Sequence, residues 1–292
     1  MPKLQIAILS MCALPGDVAG NLRQLEGFAR RAGAYGCHAL LTPELSVSGY
    51  GGYPEVLACR EEAGKGPIYR GLARIARETG VVLLAGFPEA DGERTYIAHY
   101  AVYPDGRYAA QRKHRATPAE APFAPWGALY DDGTEELGQL DAEDARFTLF
   151  ELEGVRCAIV ICADAGIRGL HDRLDRLGVE LVFLPVGAGG TRAGRITTQE
   201  LRTPEGIERY CKLLNSPYFF PGDNIRACLR HRRAIAVVNM CGFDGKERCH
   251  GGSGSIVNRY GEITAQLVGL ENVDRQRPLM AFGEVETEEE NP

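Results

Sequence analysis

At 292 residues, 45% hydrophobic and 25% charged, the chain has the make-up of a globular protein that can bury its own core without a disulfide or metal staple. A net charge of −6 leaves no basic stripe of the kind a nucleic-acid backbone requires, and the short run QRKHR (111–115) reads as a solvated face. No stretch approaches the ~20 apolar residues of a membrane span, and nine cysteines without a CxxC suit a reducing cytoplasm better than an oxidising compartment.

Residues 3–9 (KLQIAIL) read as a buried strand, which fits the opening residues better than a secretory leader does, because Ser10 interrupts the apolar run. Asp17 is placed as an N-cap, and Val18, Leu22, Leu25, Phe28 and Ala32 recur at helical spacing up to Gly33 and Gly36. CHALLTPE (37–44) is the next expected strand. Ile68, Leu72, Ile75 and Ala76 mark a second amphipathic helix closed by Gly80, followed by the apolar strand VVLLAGF (81–87). Alternating strands and helices in the first third predict an α/β fold.

The middle changes character. TYIAHYAVYPDGRYAAQRK predicts a hairpin through PDGR, and RFTLFELEGVRCAIVIC a second one turning at Glu153 and Gly154. Between them, 114–145 has no period and reads as a long functional or disordered loop. Residues 168–178 predict a short helix, 179–187 a buried strand, and 204–214 and 224–233 two more helices separated by Pro- and Gly-rich chain. AIAVVNM (234–240) is the following strand, and GSGSIVN, EITAQLV and LMAFGEV predict three closing strands. One domain over 1–285 is expected, with an acidic disordered tail at 286–292.

Three polar residues end apolar strands: Glu44 after HALLTP, Lys113 after YAAQR and Cys162 after CAIVI. Strand ends of an α/β sheet share one edge, where ligands bind. A thiol needs a base to attack a carbonyl, a carboxylate can take that proton, and a lysine can stabilise the oxyanion, so the set is complete for acyl transfer without histidine. His114 follows Lys113, but successive side chains of a strand point to opposite faces, so only one of the two can face the site. A Cys–His hydrolase using His114 or His171 is the weaker arrangement. Cys37, Cys157, Cys211 and Cys228 read as core thiols, and Cys241, Cys249 and His250 lack a fourth ligand at a spacing that would make a zinc site.

These positions and their neighbours resemble the nitrilase (carbon–nitrogen hydrolase) superfamily over residues 3–285. The matching pieces are PGD with Asn21, LLTPELSVSGY around Glu44, YAAQRKHR around Lys113, AIVICAD around Cys162, VVNMCG (237–242) and GGSGSIVNRYG (251–261). The resemblance implies a four-layer α-β-β-α sandwich of two mixed sheets with helices on the outer faces. It implies Glu44 as general base, Cys162 as nucleophile and Lys113 as oxyanion stabiliser aided by the Ala163 backbone N–H, with Glu120 as the second glutamate. Tyr50, Ala163, Asp164 and Gly187 are the expected substrate-binding residues.

The implied reaction is hydrolysis of a non-peptide C–N bond in a small amide or N-carbamoyl compound, on the amidase-like branch. Nitrile hydrolysis and a non-catalytic metabolite-binding member are the alternatives. No metal or organic cofactor is implied, and a homodimer or higher homo-oligomer is expected. The chain departs from the family pattern at Ala163, where an aromatic residue is common, at IRG (167–169), and in the extended 188–224 segment. In that segment Arg192, Arg195 or Arg202 is an expected partner for a substrate carboxylate.

Overall fold

The computed structural model describes residues 3–126, 145–191, 199–214, 222–268 and 277–286. The distal part of the 114–145 loop, Arg192, Arg195 and the tail from residue 287 lie outside them.

Two large mixed sheets follow one plan. In the first, β1 (Lys3–Ser10) lies parallel to β2 (Ala39–Leu41), which lies parallel to β4 (Val82–Asp91). The short β3 (Glu61–Glu62) adds to β4, and the antiparallel β5 (Arg94–Val102) and β6 (Tyr108–Arg112) continue outward. The last strand, β16 (Leu279–Glu286), crosses back to pair antiparallel with β1. In the second sheet β8 (Val155–Ile159), β9 (Leu181–Val186) and β11 (Ala234–Asn239) are parallel. They are flanked by antiparallel β7 (Leu149–Leu152) on one side and by β14 (Gly254–Val257) and β15 (Ile263–Leu267) on the other. A third sheet of three short strands, β10 (Gly189–Thr191), β13 (Arg248–Gly251) and β12 (Cys241–Phe243), has no counterpart among the expected strands.

Period-two alternation sorts the second sheet's residues into two layers. Cys157, Ile159, Leu181, Phe183, Ala236, Val238 and Ile256 join the core that includes Ile6, Ile8 and Leu40 of the first sheet. Their neighbours Ala158, Val182, Ile235 and Val257 face the other way, onto Leu170 and Leu174 of α4 (Leu170–Arg176) and Cys228 of α6 (Gly222–His231). On the far side, α1 (Val18–Ala34) buries Leu25, Ala29 and Ala32, and the helix α3 (Pro67–Thr79) buries Leu72, Ile75 and Ala76 against the first sheet. The result is a four-layer α-β-β-α sandwich. The single-turn α2 (Pro54–Leu57) and the helix α5 (Pro204–Leu214) lie in the connections.

Local signals hold at the helix ends. Asp17 Oδ1 accepts from the Gly20 N–H at 2.9 Å, a cap worth about 1 kcal/mol. Gly80 closes α3 in the left-handed region at φ 70°. The expected strand at 37–44 is shorter, only Ala39–Leu41, because Pro43 cannot donate to a ladder and Leu45 turns the chain at φ 51°. Among the described residues, no helix is long and apolar enough to cross a membrane.

Candidate active site

Glu44 sits just beyond β2 on a loop fastened to β4. The Thr42 N–H and hydroxyl both donate to the Leu84 carbonyl, Ser46 Oγ accepts from the Gly86 N–H, and the Val47 N–H donates back to the Gly86 carbonyl. Gly86 has to be glycine, since a Cβ there would lie 2.7 Å from the Leu45 nitrogen and 2.8 Å from His99 Nδ1. Asn21 ties the far side of the loop, donating to the carbonyls of Leu14 and Val47.

Lys113 follows β6, and its N–H extends the ladder to the Ile97 carbonyl. Its ammonium is buried between two buried carboxylates, 2.8 Å from Glu44 Oε1 and 2.7 and 2.8 Å from the oxygens of Glu120. Glu120 closes a 3-10 turn (Pro118–Glu120) capped by Thr117, whose N–H donates to Glu120 Oε2 at 2.7 Å. The Tyr50 hydroxyl donates to Glu120 Oε1 at 2.6 Å. The structure thus brings Glu44, Lys113, Glu120 and Tyr50 into one buried cluster.

Cys162 lies three residues past β8 and opens a 3-10 turn (Cys162–Gly166) that also carries Ala163. Its φ of 48° places a non-glycine residue in the left-handed region, the kind of backbone strain that collects at functional sites. The thiol is close enough to Glu44 and Lys113 to feel both charges, and to the Gly187 backbone for that group to lower its proton affinity. Gly187, the residue after β9, admits no side chain: a Cβ would lie 2.2 Å from the Tyr50 ring and 3.0 Å from Glu44 Oε2. Behind it, Asn239 Nδ2 donates to the Ala188 carbonyl at 2.9 Å and holds this segment in place.

Burial pushes the Glu44 carboxyl up to about 8, with the Glu120 charge adding to the rise and the Lys113 ammonium opposing it. Its Oε2 is buried with no hydrogen-bond partner among the described residues. Burial also raises Cys162 well above the usual thiol range. The Glu44 charge adds to that rise, while Lys113 and the Gly187 backbone work against it. For Lys113 burial disfavours the charge, but Glu44, Cys162 and Glu120 outweigh it, so the ammonium is held above its ordinary value. Burial raises Tyr50 as well, which keeps its hydroxyl a donor. The arrangement therefore holds a neutral thiol beside a carboxylate of raised proton affinity and a permanently charged lysine.

The other sequence candidates fall elsewhere. His114 turns away from Lys113: its N–H and Nδ1 both meet Asp164 Oδ2 at 3.0 Å, and Nε2 meets the Arg146 chain. Asp164, expected to touch substrate, is instead buried and anchors His114 beneath the Cys162 turn. Ala163, between the two, stays next to the thiol. His171 stacks on His231, with ring centroids 5.1 Å apart, on the outer face of the second sheet. Arg202 is exposed on a 3-10 turn (Glu200–Arg202). Cys241 Sγ lies 3.1 Å from Cys12 Sγ, and His250 and Cys249 occupy opposite faces of β13, so Cys241, Cys249 and His250 do not converge on a metal position.

Residues 5–201 match the carbon-nitrogen hydrolase family. A hydrolase in the pqqF 5′ region of Pseudomonas protegens is 28% identical over 284 residues, covering 94% of this chain and 84% of that one. NitN amidase from Nesterenkonia sp. AN1 superposes with a TM-score of 0.69 at 20% identity, covering 96% of this chain and 92% of the other. A glutamate-to-glutamine variant of that amidase, which carries the acetamide moiety of fluoroacetamide on the active-site cysteine, gives a TM-score of 0.70 at 20% identity, covering 96% and 89%. The chain belongs to the carbon-nitrogen hydrolase family and is a hydrolase acting on C–N bonds.

Proposed function

We propose that the protein hydrolyses the C–N bond of a small amide or N-carbamoyl compound through a thioester on Cys162. The observation that carries this reading is the buried Lys113 ammonium held by Glu44 at 2.8 Å and Glu120 at 2.7 Å beside a thiol on a strained turn. Glu44 takes the thiol proton as sulfur bonds to the amide carbon, and the new oxyanion is met by the Lys113 ammonium and the Ala163 N–H. Glu44 then gives the proton to nitrogen, the C–N bond breaks, and ammonia or an amine leaves. Water, deprotonated by Glu44, attacks the thioester carbon. The second tetrahedral adduct collapses, the C–S bond breaks, and Glu44 returns the proton to sulfur.

Glu120 orients Lys113 with both oxygens and is itself fixed by Tyr50 and by the Thr117 N–H. This chemistry needs a reduced thiol, and the eight described cysteines are all unpaired, which supports action in the cytoplasm. The Nesterenkonia amidase has been captured with butyramide, which supports short amides as the starting class here.

The test is ammonia release from short amides, ω-amides of dicarboxylates, N-carbamoyl amino acids and nitriles, with wild type beside Cys162→Ala. Turnover of an amide or carbamoyl compound that disappears in the variant supports the proposal. Turnover that survives in Cys162→Ala, or a preference for nitriles, sinks it.

A further inference from the structure

The small third sheet has a position that the chemistry above does not use. Its strand β10 begins two residues after Gly187, so one face of the sheet continues the wall of the site. On β13, Arg248 and His250 are two residues apart and share that face. Both meet Tyr50: the His250 ring stands edge-on with centroids 5.6 Å apart, and the Arg248 guanidinium carbon lies 5.9 Å from the ring centroid. The Tyr50 hydroxyl is on Glu120 and its ring abuts Gly187, so Arg248 stands one aromatic ring away from the Glu44–Lys113–Glu120 cluster.

No ion pair compensates this guanidinium among the described residues. Its Nε is buried without a hydrogen-bond partner. Of the two acids in its own hairpin turn, Asp244 is already engaged: Oδ1 accepts from the N–H groups of Lys246 at 2.8 Å and Arg248 at 3.0 Å, and Oδ2 from the Tyr53 hydroxyl at 3.2 Å, while Glu247 is exposed and forms no ion pair with Arg248. A buried donor left without an acceptor is costly, and a guanidinium fork matches a carboxylate in two parallel hydrogen bonds. With Glu44 ionised, as its role as base requires, the cluster next door sets two carboxylates against one ammonium, a balance that repels an anionic substrate unless a second cation offsets it.

We infer that Arg248 binds an anionic group of the substrate, so that the amide cleaved at Cys162 carries a carboxylate at its far end. This rests on the amidase reading of the same site and names its substrate class: monoamides of short dicarboxylates or N-carbamoyl amino acids. The carboxylate docks on Arg248 across the Tyr50 ring, while the amide carbonyl reaches Lys113.

The experiment measures kcat and KM for the monoamides of malonate through adipate and for N-carbamoyl-β-alanine, each beside a neutral amide of matched length. Wild type, Arg248→Gln and Arg248→Lys are run together. Wild type should favour the acidic member of at least one pair. Arg248→Gln should raise KM for that member about 10- to 100-fold while changing neutral-amide kcat/KM by less than about threefold, and Arg248→Lys should recover part of the loss. An equal loss on both members means Arg248 only braces Tyr50, and no acidic preference in wild type overturns the inference outright. Calorimetric binding of the same monoamides to Cys162→Ala, with and without Arg248→Gln, separates the two readings. Binding that depends on Arg248, with no turnover of any member by wild type, would sink the hydrolase mechanism and keep the anion site. Turnover with binding indifferent to Arg248 would do the reverse.

Discussion

The two large sheets share a plan of parallel strands flanked by antiparallel ones, yet they deliver different things to the site. The first supplies charged groups, Glu44, Lys113 and Glu120, on loops beyond its strands. The second supplies a thiol and the bare backbone of Gly187. Each sheet places one non-glycine residue in the left-handed region there, Leu45 at φ 51° and Cys162 at φ 48°. In the first sheet the strained residue is the neighbour of the proposed base. In the second it is the proposed nucleophile itself. The charged groups position one another through buried hydrogen bonds of 2.7 to 2.8 Å, whereas a thiol makes only weak hydrogen bonds and depends on the backbone that carries it.

That difference predicts opposite consequences of mutation. Lys113→Met should lower kcat about 10²- to 10³-fold, and it should also destabilise the fold by about 3–5 kcal/mol, because two buried carboxylates lose their cation. Cys162→Ser should lose comparable activity while the Tm stays close to wild type. Thermal melts of the two variants side by side would break the comparison if both lost stability equally. Gly187→Ala should cost about 10²-fold in kcat/KM, because its Cβ would push the Tyr50 ring and Glu44 out of place. Steady-state kinetics on the folded variant checks this, and near wild-type rates would show that the wall is soft.

The pH profile sharpens the role of the first sheet. Glu44 must be unprotonated to accept the thiol proton, and burial sets its carboxyl at about 8, so kcat/KM should climb with pH through that value and then level off. An acid limb falling near an ordinary carboxylate value would count against the raised proton affinity of Glu44, and a profile that stays flat from about pH 4 to 9 would count against Glu44 as base. A second pH effect concerns His99, behind the Glu44 loop, whose titration burial pushes down to about 3 against an opposing contribution from the Leu84 backbone. The unfolded chain binds a proton at this ring from about pH 6.5 downward while the folded chain does not. Stability should therefore fall by about 1.4 kcal/mol for each pH unit from 6.5 toward 3 on this account. His99→Leu should flatten that slope in denaturant titrations.

Much of this arrangement is visible in the sequence because it is written in local terms. Apolar runs that stop on Glu44, Lys113 and Cys162 mark strand ends, Asp17 and Gly80 mark helix ends, and Glu153–Gly154 marks a tight turn that the structure forms between β7 and β8. Glu120 stands on spacing, and only the structure shows both its oxygens on Lys113. The small sheet is illegible in the sequence because its strands are three or four residues long and rich in glycine, cysteine and charge, with no apolar alternation to read. Arg248 and His250 leave one faint signal, their spacing of two. Asp164 reads as a pocket residue because it adjoins the nucleophile turn, and its pairing with His114 bridges 50 positions of sequence. The return of β16 to β1 is likewise a distant pairing that no local pattern encodes.

The central claim is that, of nine cysteines, Cys162 alone is the nucleophile. Intact-mass and peptide-mapping spectrometry after treatment with fluoroacetamide tests it directly. The account predicts a single acetamide adduct per chain, on the peptide bearing Cys162, and none on Cys162→Ala. An adduct on a different cysteine, or an equal yield from the Cys162→Ala chain, would contradict it.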